Sequence, residues 1–235
     1  MKNKLLLFAC GLLICCLSSC EIDNYDAPDA AFYGSVIDDA TNQPIQQDLI
    51  DGSRIDFIES GFINPNTRQI RFHSDGTFRE NNLFSGTYEV QALRGNFFPS
   101  EILTVNINGA TEYNFRALPY IRIHDVNVTF NEMDGIVTST FRLEQVATNP
   151  VGSVFLYADR NANVSSSIFA ARATALVNAA VPPEQVFRLE LSTAALVSGK
   201  DYYFRVGALI SDIGEAKQNF SEPVRLRIDN SKVVR

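Results

Sequence analysis

Side chains able to do chemistry are few in this chain, and their positions limit what that chemistry could be. Its four cysteines, Cys10, Cys15, Cys16 and Cys20, all fall within the first 20 of 235 positions. Downstream of Cys20 there is therefore no cysteine nucleophile, no disulfide and no cysteine-type zinc site. The two histidines, His73 and His124, lie 51 positions apart, and neither has a His or Cys at ligand spacing. No ordinary zinc or copper site is expected from them. His73-Ser74-Asp75 contains the residue types of a triad. Consecutive strand side chains point to opposite faces, however, so the three cannot converge. Neither a Gly-x-Ser-x-Gly elbow nor a phosphate-cradling glycine loop occurs. Two carboxylates at a suitable separation would suffice for glycoside hydrolysis, and Asp38, Asp39, Asp51, Asp56, Glu59 and Asp134 are available. Most of them fall at turns or on the polar face of alternating strands, where carboxylates serve as solvated surface. The Asp38-Asp39 turn also lacks the dense Asp/Asn/Gly alternation of a calcium loop. The reading is of a non-enzyme with no metal and no cofactor.

Aromatic rings are the remaining chemical resource. The chain has 17 Phe and 8 Tyr but no Trp. Sugar faces stack on exposed rings, so rings outside the core could hold a glycan. Phe97-Phe98 follows Arg94-Gly95-Asn96 and precedes Pro99, which is loop chemistry carrying two rings. Phe62 lies in the apparent loop Gly61-Phe62-Ile63-Asn64-Pro65-Asn66. Tyr203 and Arg205 alternate with Tyr202 and should face away from it. Phe62, Phe97, Phe98, Tyr203 and Arg205 are the candidate glycan contacts, and core or interdomain packing is the competing reading for each.

Cys20 has a different role. Met1-Lys2-Asn3-Lys4 is a short basic start, and Leu5 to Leu17 is almost wholly apolar, ending in Leu17-Ser18-Ser19-Cys20. That run is shorter than the roughly 20 residues of a membrane-spanning helix and reads as a cleaved secretory signal, residues 1–19, with a lipobox-like end. Cleavage before Cys20 would place lipid on its thiol and anchor the protein to a membrane. Without the leader the chain holds 18 basic and 27 acidic residues, a formal charge of −9. Such a balance argues against nucleic-acid binding through a basic face. Residues 20–30 read as the lipidated cysteine and a polar tether.

The elements that must position these groups are strands. From Ala31 onward, short alternating runs are cut by turn residues, which predicts an all-β chain. Strands are expected at 32–37, 54–58, 69–72, 77–79, 86–92, 102–107 and 111–115, with Asp75-Gly76 as a hairpin signal. About seven strands make one sandwich, assigned to residues 31–118. Ala117-Leu118-Pro119 marks a boundary, and a second sandwich spans 119–235, with strands at 136–143, 153–157, 202–208 and 221–228. Ser165 to Ala180 is alanine-rich, with Phe169, Ala173 and Leu176 at helical spacing, and is expected to be a short helical insertion.

Several motifs resemble known families. Gly34-x-Val36-x-Asp38…Pro44, Asp75-Gly76-x-Phe78 and Leu83-x-x-Gly86-x-Tyr88-x-Val90 are similar to the carboxypeptidase regulatory-like (transthyretin-like) sandwich. Leu196-x-x-Gly199-x-x-Tyr202 resembles the tyrosine corner of immunoglobulin-like and fibronectin type III domains, with Phe141 in place of their buried Trp. Acidic Glu21, Asp23 and Asp26 after the cysteine resemble surface-export signals of Bacteroidetes lipoproteins. The whole arrangement, from Asp23-Asn24-Tyr25-Asp26-x-Pro28 through Phe97-Phe98-Pro99 and Pro119-Tyr120 to Tyr202-Tyr203-Phe204-Arg205-Val206, resembles the two-domain Bacteroidetes lipoproteins of domain of unknown function 3823. The resemblance implies an outer-membrane protein facing the cell exterior beside SusC- and SusD-like partners of a glycan-uptake system. Within such a system it implies either polysaccharide binding or a structural, assembly role without glycan.

Overall fold

The computed structural model describes residues 26–232, so the leader and Cys20 lie outside the described residues. The chain folds as two β-sandwiches in tandem. In the first, β1 (Ala30–Asp38) is central to one sheet, flanked by β4 (Thr77–Leu83) on one side. On its other side run β7 (Ala110–Glu112) and β8 (Phe115–Ala117), both parallel to β1. The facing sheet has the order β3 (Arg68–Arg71), β2 (Arg54–Glu59), β5 (Gly86–Leu93), β6 (Leu103–Ile107), all antiparallel. Alternation selects the core. Ile55 and Phe57 of β2, and Tyr88, Val90 and Ala92 of β5, all point inward and are buried. An aromatic cluster fills the space between the sheets, with Phe78 in contact with Phe32, Phe72 and Phe115. Each such pair adds about 0.5–1.5 kcal/mol beyond burial. At the Asp75-Gly76 turn, Gly76 has φ 82° and a Cβ there would lie 2.6 Å from the Ile45 carbonyl oxygen, so only glycine fits.

The second sandwich pairs β9 (Ile121–Asn131), β10 (Ile136–Gln145) and β13 (Val186–Ser192) in one sheet. Its partner sheet has the order β12 (Ala171–Ala179), β11 (Val151–Asp159), β14 (Lys200–Ile210), with β15 (Asn219–Phe220) and β16 (Val224–Ile228) both on the far side of β14. Phe141 is buried and stacks on Phe187, with ring centroids 5.5 Å apart, and so occupies the core with no tryptophan.

The expected helical insertion is a strand instead. Residues 165–170 are irregular, and β12 follows as an edge strand with period-2 burial. Ala171, Ala173, Ala175 and Val177 pack on the core, while Arg172, Thr174 and Leu176 face outward. Small alanines at alternate positions let this edge lie close over the core. The helical spacing of Phe169, Ala173 and Leu176 is accidental, since Ala173 points inward and Leu176 is 77% exposed. No α-helix occurs among the described residues.

Both sandwiches use one tyrosine device. The Tyr202 hydroxyl accepts a hydrogen bond from the Val197 backbone N–H at 2.9 Å, pinning the turn before β14. In the first sandwich the Tyr88 hydroxyl donates to the Phe84 carbonyl at 2.8 Å across the Ser85-Gly86 turn. Tyr202→Phe keeps the buried ring and removes the hydroxyl. It is expected to lower unfolding stability by about 0.5–1.5 kcal/mol, read from the urea midpoint at unchanged slope.

Candidate functional site

Positions of the five candidate contacts follow from how the sandwiches meet, and they meet through buried polar groups. On β14 the side chains of Tyr202, Phe204 and Val206 enter the core, so residues 201, 203 and 205 line the sheet's outer face. At Arg205 that face is covered by the 43–53 loop of the first sandwich and by residues 163–168. Arg205 is 1% exposed. Its guanidinium donates to the carbonyls of Ser221 (2.7 Å), Gln47 (3.0 Å), Val164 (3.3 Å) and Ser74 (3.0 Å) and to Gln46 Oε1 (2.9 Å). It also lies over the Phe220 ring, 4.7 Å from the centroid. Burial pulls its pKa down to about 10, with Asp48, Asp75 and Glu222 opposing, so it remains charged at neutral pH.

Around this cation the interface is closed by further polar contacts. Asp48 reaches across to Ser166 Oγ (2.6 Å) and the Ser167 N–H (3.0 Å), while accepting from the N–H groups of Ile50 and Asp51 in its own loop. Burial would raise the Asp48 carboxyl. Hydrogen bonds from Ser166, Asp51, Ile50 and Ser167 outweigh it and hold the pKa below the ordinary carboxylate value. Asn96 donates to the Gln46 and Gln218 carbonyls, and its own carbonyl receives Asn219 Nδ2 and the Tyr120 N–H. Gly95 has to be glycine here, because a Cβ would lie 1.8 Å from Ser53 Oγ. Asp38 and Arg122 form a bidentate ion pair at 2.5 and 2.9 Å, with both side chains no more than 10% exposed.

The structure therefore separates the five candidates. Arg205 offers nothing to a ligand, because all its donors are committed inside the interface. Phe97 is 0% exposed, bridges to Pro119 and meets Phe72 edge-on, so it is core, and only the second ring of the loop lies outside. Phe98 is that second ring, 40% exposed and edge-on to Tyr120 at the domain junction. Tyr203 is half-buried and lines a groove with Arg160, Lys200, Asp201, Arg225 and Arg227. Phe62 is 64% exposed on the β2–β3 loop, and neighbouring Ile63 is 95% exposed. The loop leaves β2 at Glu59 and turns at Gly61 (φ 96°) and Asn64 (φ 59°). It overhangs a hollow of about 280 Å³ whose rim carries Glu59, Asn64, Asn66 and Arg68. Arg68 is itself held over the Phe57 ring at 5.0 Å. An exposed ring beside amides, a carboxylate and a guanidinium can stack on a sugar face and hydrogen-bond its hydroxyls.

Most of the carboxylates that could have formed a catalytic pair have partners. Asp38 faces Arg122, Asp39 faces Arg116, Asp51 faces Lys217, Asp56 accepts from Gln69, and Asp134 from Asn131. No group of three His, Cys, Asp or Glu able to hold a metal occurs among the described residues. His124 meets Glu144 at 3.0 Å, and His73 is exposed.

Comparison with known proteins places this arrangement. Residues 30–118 match the N-terminal domain of the DUF3823 proteins of unknown function, and residues 121–225 match the DUF3823_C domain of unknown function. The chain belongs to the DUF3823 family. Solved structures that resemble it include a "putative carbohydrate binding protein" from Bacteroides uniformis ATCC 8492, with TM-score 0.78 and 26% identity. The likeness covers 86% of this chain and 100% of that one. A DUF3823 family protein from the same organism has TM-score 0.74 at 17% identity, and one from Parabacteroides merdae ATCC 43184 has 0.73 at 22%. Each covers 86% of this chain and 100% of its own, and at those identities they speak for the fold alone. A search of the curated proteins finds no match.

Two outcomes test the interface. Arg205→Ala strands the Gln47, Val164 and Ser221 carbonyls and the Gln46 amide oxygen, and is expected to cost about 3–5 kcal/mol. It should also split a single calorimetric unfolding transition into two, as the sandwiches lose their coupling. Acid should act at the same place. A carboxyl whose folded pKa is depressed stabilises the fold above its unfolded pKa, about 3.9, and loses that contribution as pH falls through the lower folded value. Asp48 is such a group, and Asp38 is another: burial raises its pKa, but hydrogen bonds from Arg122 and the Ala40 N–H, with the Arg122 charge, lower it further. Docking should hold from pH 7 to about 4 and weaken below, seen as a pH-dependent rise in the radius of gyration by X-ray scattering.

Proposed function

We propose that this chain is a non-catalytic, glycan-binding lipoprotein. Lipid on Cys20 would hold it at the outer membrane, facing the cell exterior beside a SusC/SusD-type transporter. The observation that carries the reading is the Phe62 hollow, an exposed ring on the β2–β3 loop rimmed by hydrogen-bonding side chains. Likeness to the Bacteroides uniformis protein named for carbohydrate binding supports it, since the alignment spans that whole chain. With no Trp, stacking would rest on Phe62, with Phe98 as a second ring at the domain junction. Per-site affinity would be modest, and anchoring would raise the effective concentration at the membrane.

A second reading draws on Ile63. An aliphatic side chain that is 95% exposed beside an exposed Phe does little for a sugar but suits a protein contact. On that reading the protein is an assembly subunit that touches a transporter or another lipoprotein and binds no glycan.

Affinity electrophoresis against neutral plant, host and microbial polysaccharides separates the two. Glycan binding predicts retardation by at least one of them, lost in Phe62→Ala and kept in Ile63→Asp, with both variants folded. The assembly reading predicts no retardation. It also predicts outer-membrane proteins that co-purify without glycan and are lost on Ile63→Asp.

A further inference from the structure

We propose that the groove around Tyr203 is an anion site that takes the carboxylate or sulfate groups of an acidic polysaccharide. Among the described side chains, the arginines elsewhere and Lys217 each meet a carboxylate, an amide or carbonyl oxygen, or an aromatic ring. The side chains of Arg160, Lys200 and Arg227 make no hydrogen bond or salt bridge among the described residues, and all three residues line this one groove. Arg225 stands with them, bound to Asp201. Asp201 is held below the ordinary carboxylate range by its hydrogen bond to Arg225 and by the charges of Arg225 and Arg227. The groove thus carries one carboxylate and four cations, and that carboxylate interacts with Arg225 and Arg227.

Strand register builds this cluster. In the β14–β16 ladder Asp201 lies opposite Arg227 and Tyr203 opposite Arg225, so all four side chains share the outer face. Lys200 and Gly199 (φ 74°) form the upper end, and Arg160 follows directly after Asp159, which lies opposite Tyr203 on β11. Asp159 accepts the Asn161 N–H at 2.8 Å and so caps the turn beyond β11. The concavity measures about 520 Å³, inside the roughly 300–1,000 Å³ range of small-ligand sites.

Like charges at this density repel one another, and solubility alone is served by interspersed signs. A chain of net charge −7 that gathers four cations around one carboxylate in one hollow has a surface complementary to an anion. Guanidinium forks match the two oxygens of a carboxylate or sulfate. Tyr203 contributes an amphipathic ring packed against the small cluster of Tyr157, Val164 and Phe220, a platform for the sugar that bears the charge. A concave site floored by strands suits a polymer's charged repeat better than a membrane plane, which meets a convex basic face. The inference rests on the glycan-binding reading for the kind of polymer and uses residues separate from the Phe62 hollow.

The test uses the full chain in a polyoxyethylene detergent, with polygalacturonate and chondroitin sulfate as probes and dextran as the neutral control. Expected is binding of at least one acidic polymer, falling as salt is raised from about 50 to about 500 mM. The Arg160→Gln/Lys200→Gln/Arg227→Gln variant should bind it about tenfold or more weakly, and Phe62→Ala should leave it unchanged. Loss on Phe62→Ala alone would leave the glycan reading standing and overturn this site. Failure to bind either acidic polymer, or equal binding by the triple variant, would overturn it too. So would binding only to phosphatidylglycerol vesicles that the triple variant loses, which would make the cluster a membrane contact.

Discussion

Arg205 is the constraint on which the two-domain structure depends. A guanidinium taken out of water is costly unless its donors are matched, and here they are matched by four carbonyls and one amide oxygen. Those acceptors come from both sandwiches: Gln46, Gln47 and Ser74 from the first, Val164 and Ser221 from the second. The cation is satisfied only when the sandwiches are docked in this one orientation. A hydrophobic interface of equal area would tolerate sliding, whereas five directional bonds from a planar group do not. Each partner then acquires a fixed neighbour. Asp48 supplies charge near the cation and ties the 43–53 loop to residues 166–167, while Asn96 bridges Gln46, Gln218 and Asn219.

Rigidity here follows from polar bookkeeping, because every buried donor left without its acceptor would be a penalty rather than a neutral loss. It also explains where the ligand-binding features lie. The central junction is filled with polar groups that mostly satisfy one another, the buried Ser165 hydroxyl excepted, and has little left to offer. The exposed ring of Phe62 and the cationic groove at Tyr203 sit on opposite sides of that junction in sequence, one per sandwich, on surfaces that docking leaves open. Fixed orientation means that two weak sites on one rigid body can engage one long polymer without a further loss of relative freedom between the domains.

Strand alternation made the all-β class legible, and motif spacing pointed to the turn and inward ring of Leu83-x-x-Gly86-x-Tyr88 and to the tyrosine corner of Leu196-x-x-Gly199-x-x-Tyr202. These signals are local, set by turn chemistry and period. What failed was non-local. Arg205 alternates outward as expected, but nothing in its own strand says that a loop some 160 residues earlier will cover that face. Phe97 and Phe98 share a loop composition, and only the packing of Phe72 decides which ring goes in. The stretch 165–180 misled because alanine is compatible with both periods. Its edge position over the core resolves the ambiguity, and that position is fixed by pairing with β11. Strands β9, β13 and β15 were also not anticipated, although Phe187, Leu189 and Leu191 of β13 alternate cleanly; β9 loses its period at Asp125.

The cationic groove was partly visible, because Tyr203 stood out as an outward ring, but its neighbours did not. Arg160, Lys200 and Arg227 look like ordinary surface charges in a chain with many of them. Their distinction is relational. Almost every other cation described has found an oxygen or a ring, and these neighbours were brought together by the register of β14 against β16 and β11. A surface charge is uninformative when it is paired or isolated, since solubility explains both. It becomes informative when several of one sign crowd around a single carboxylate in a concavity of an oppositely charged protein, because the folded chain then carries a repulsion that an anionic ligand would relieve.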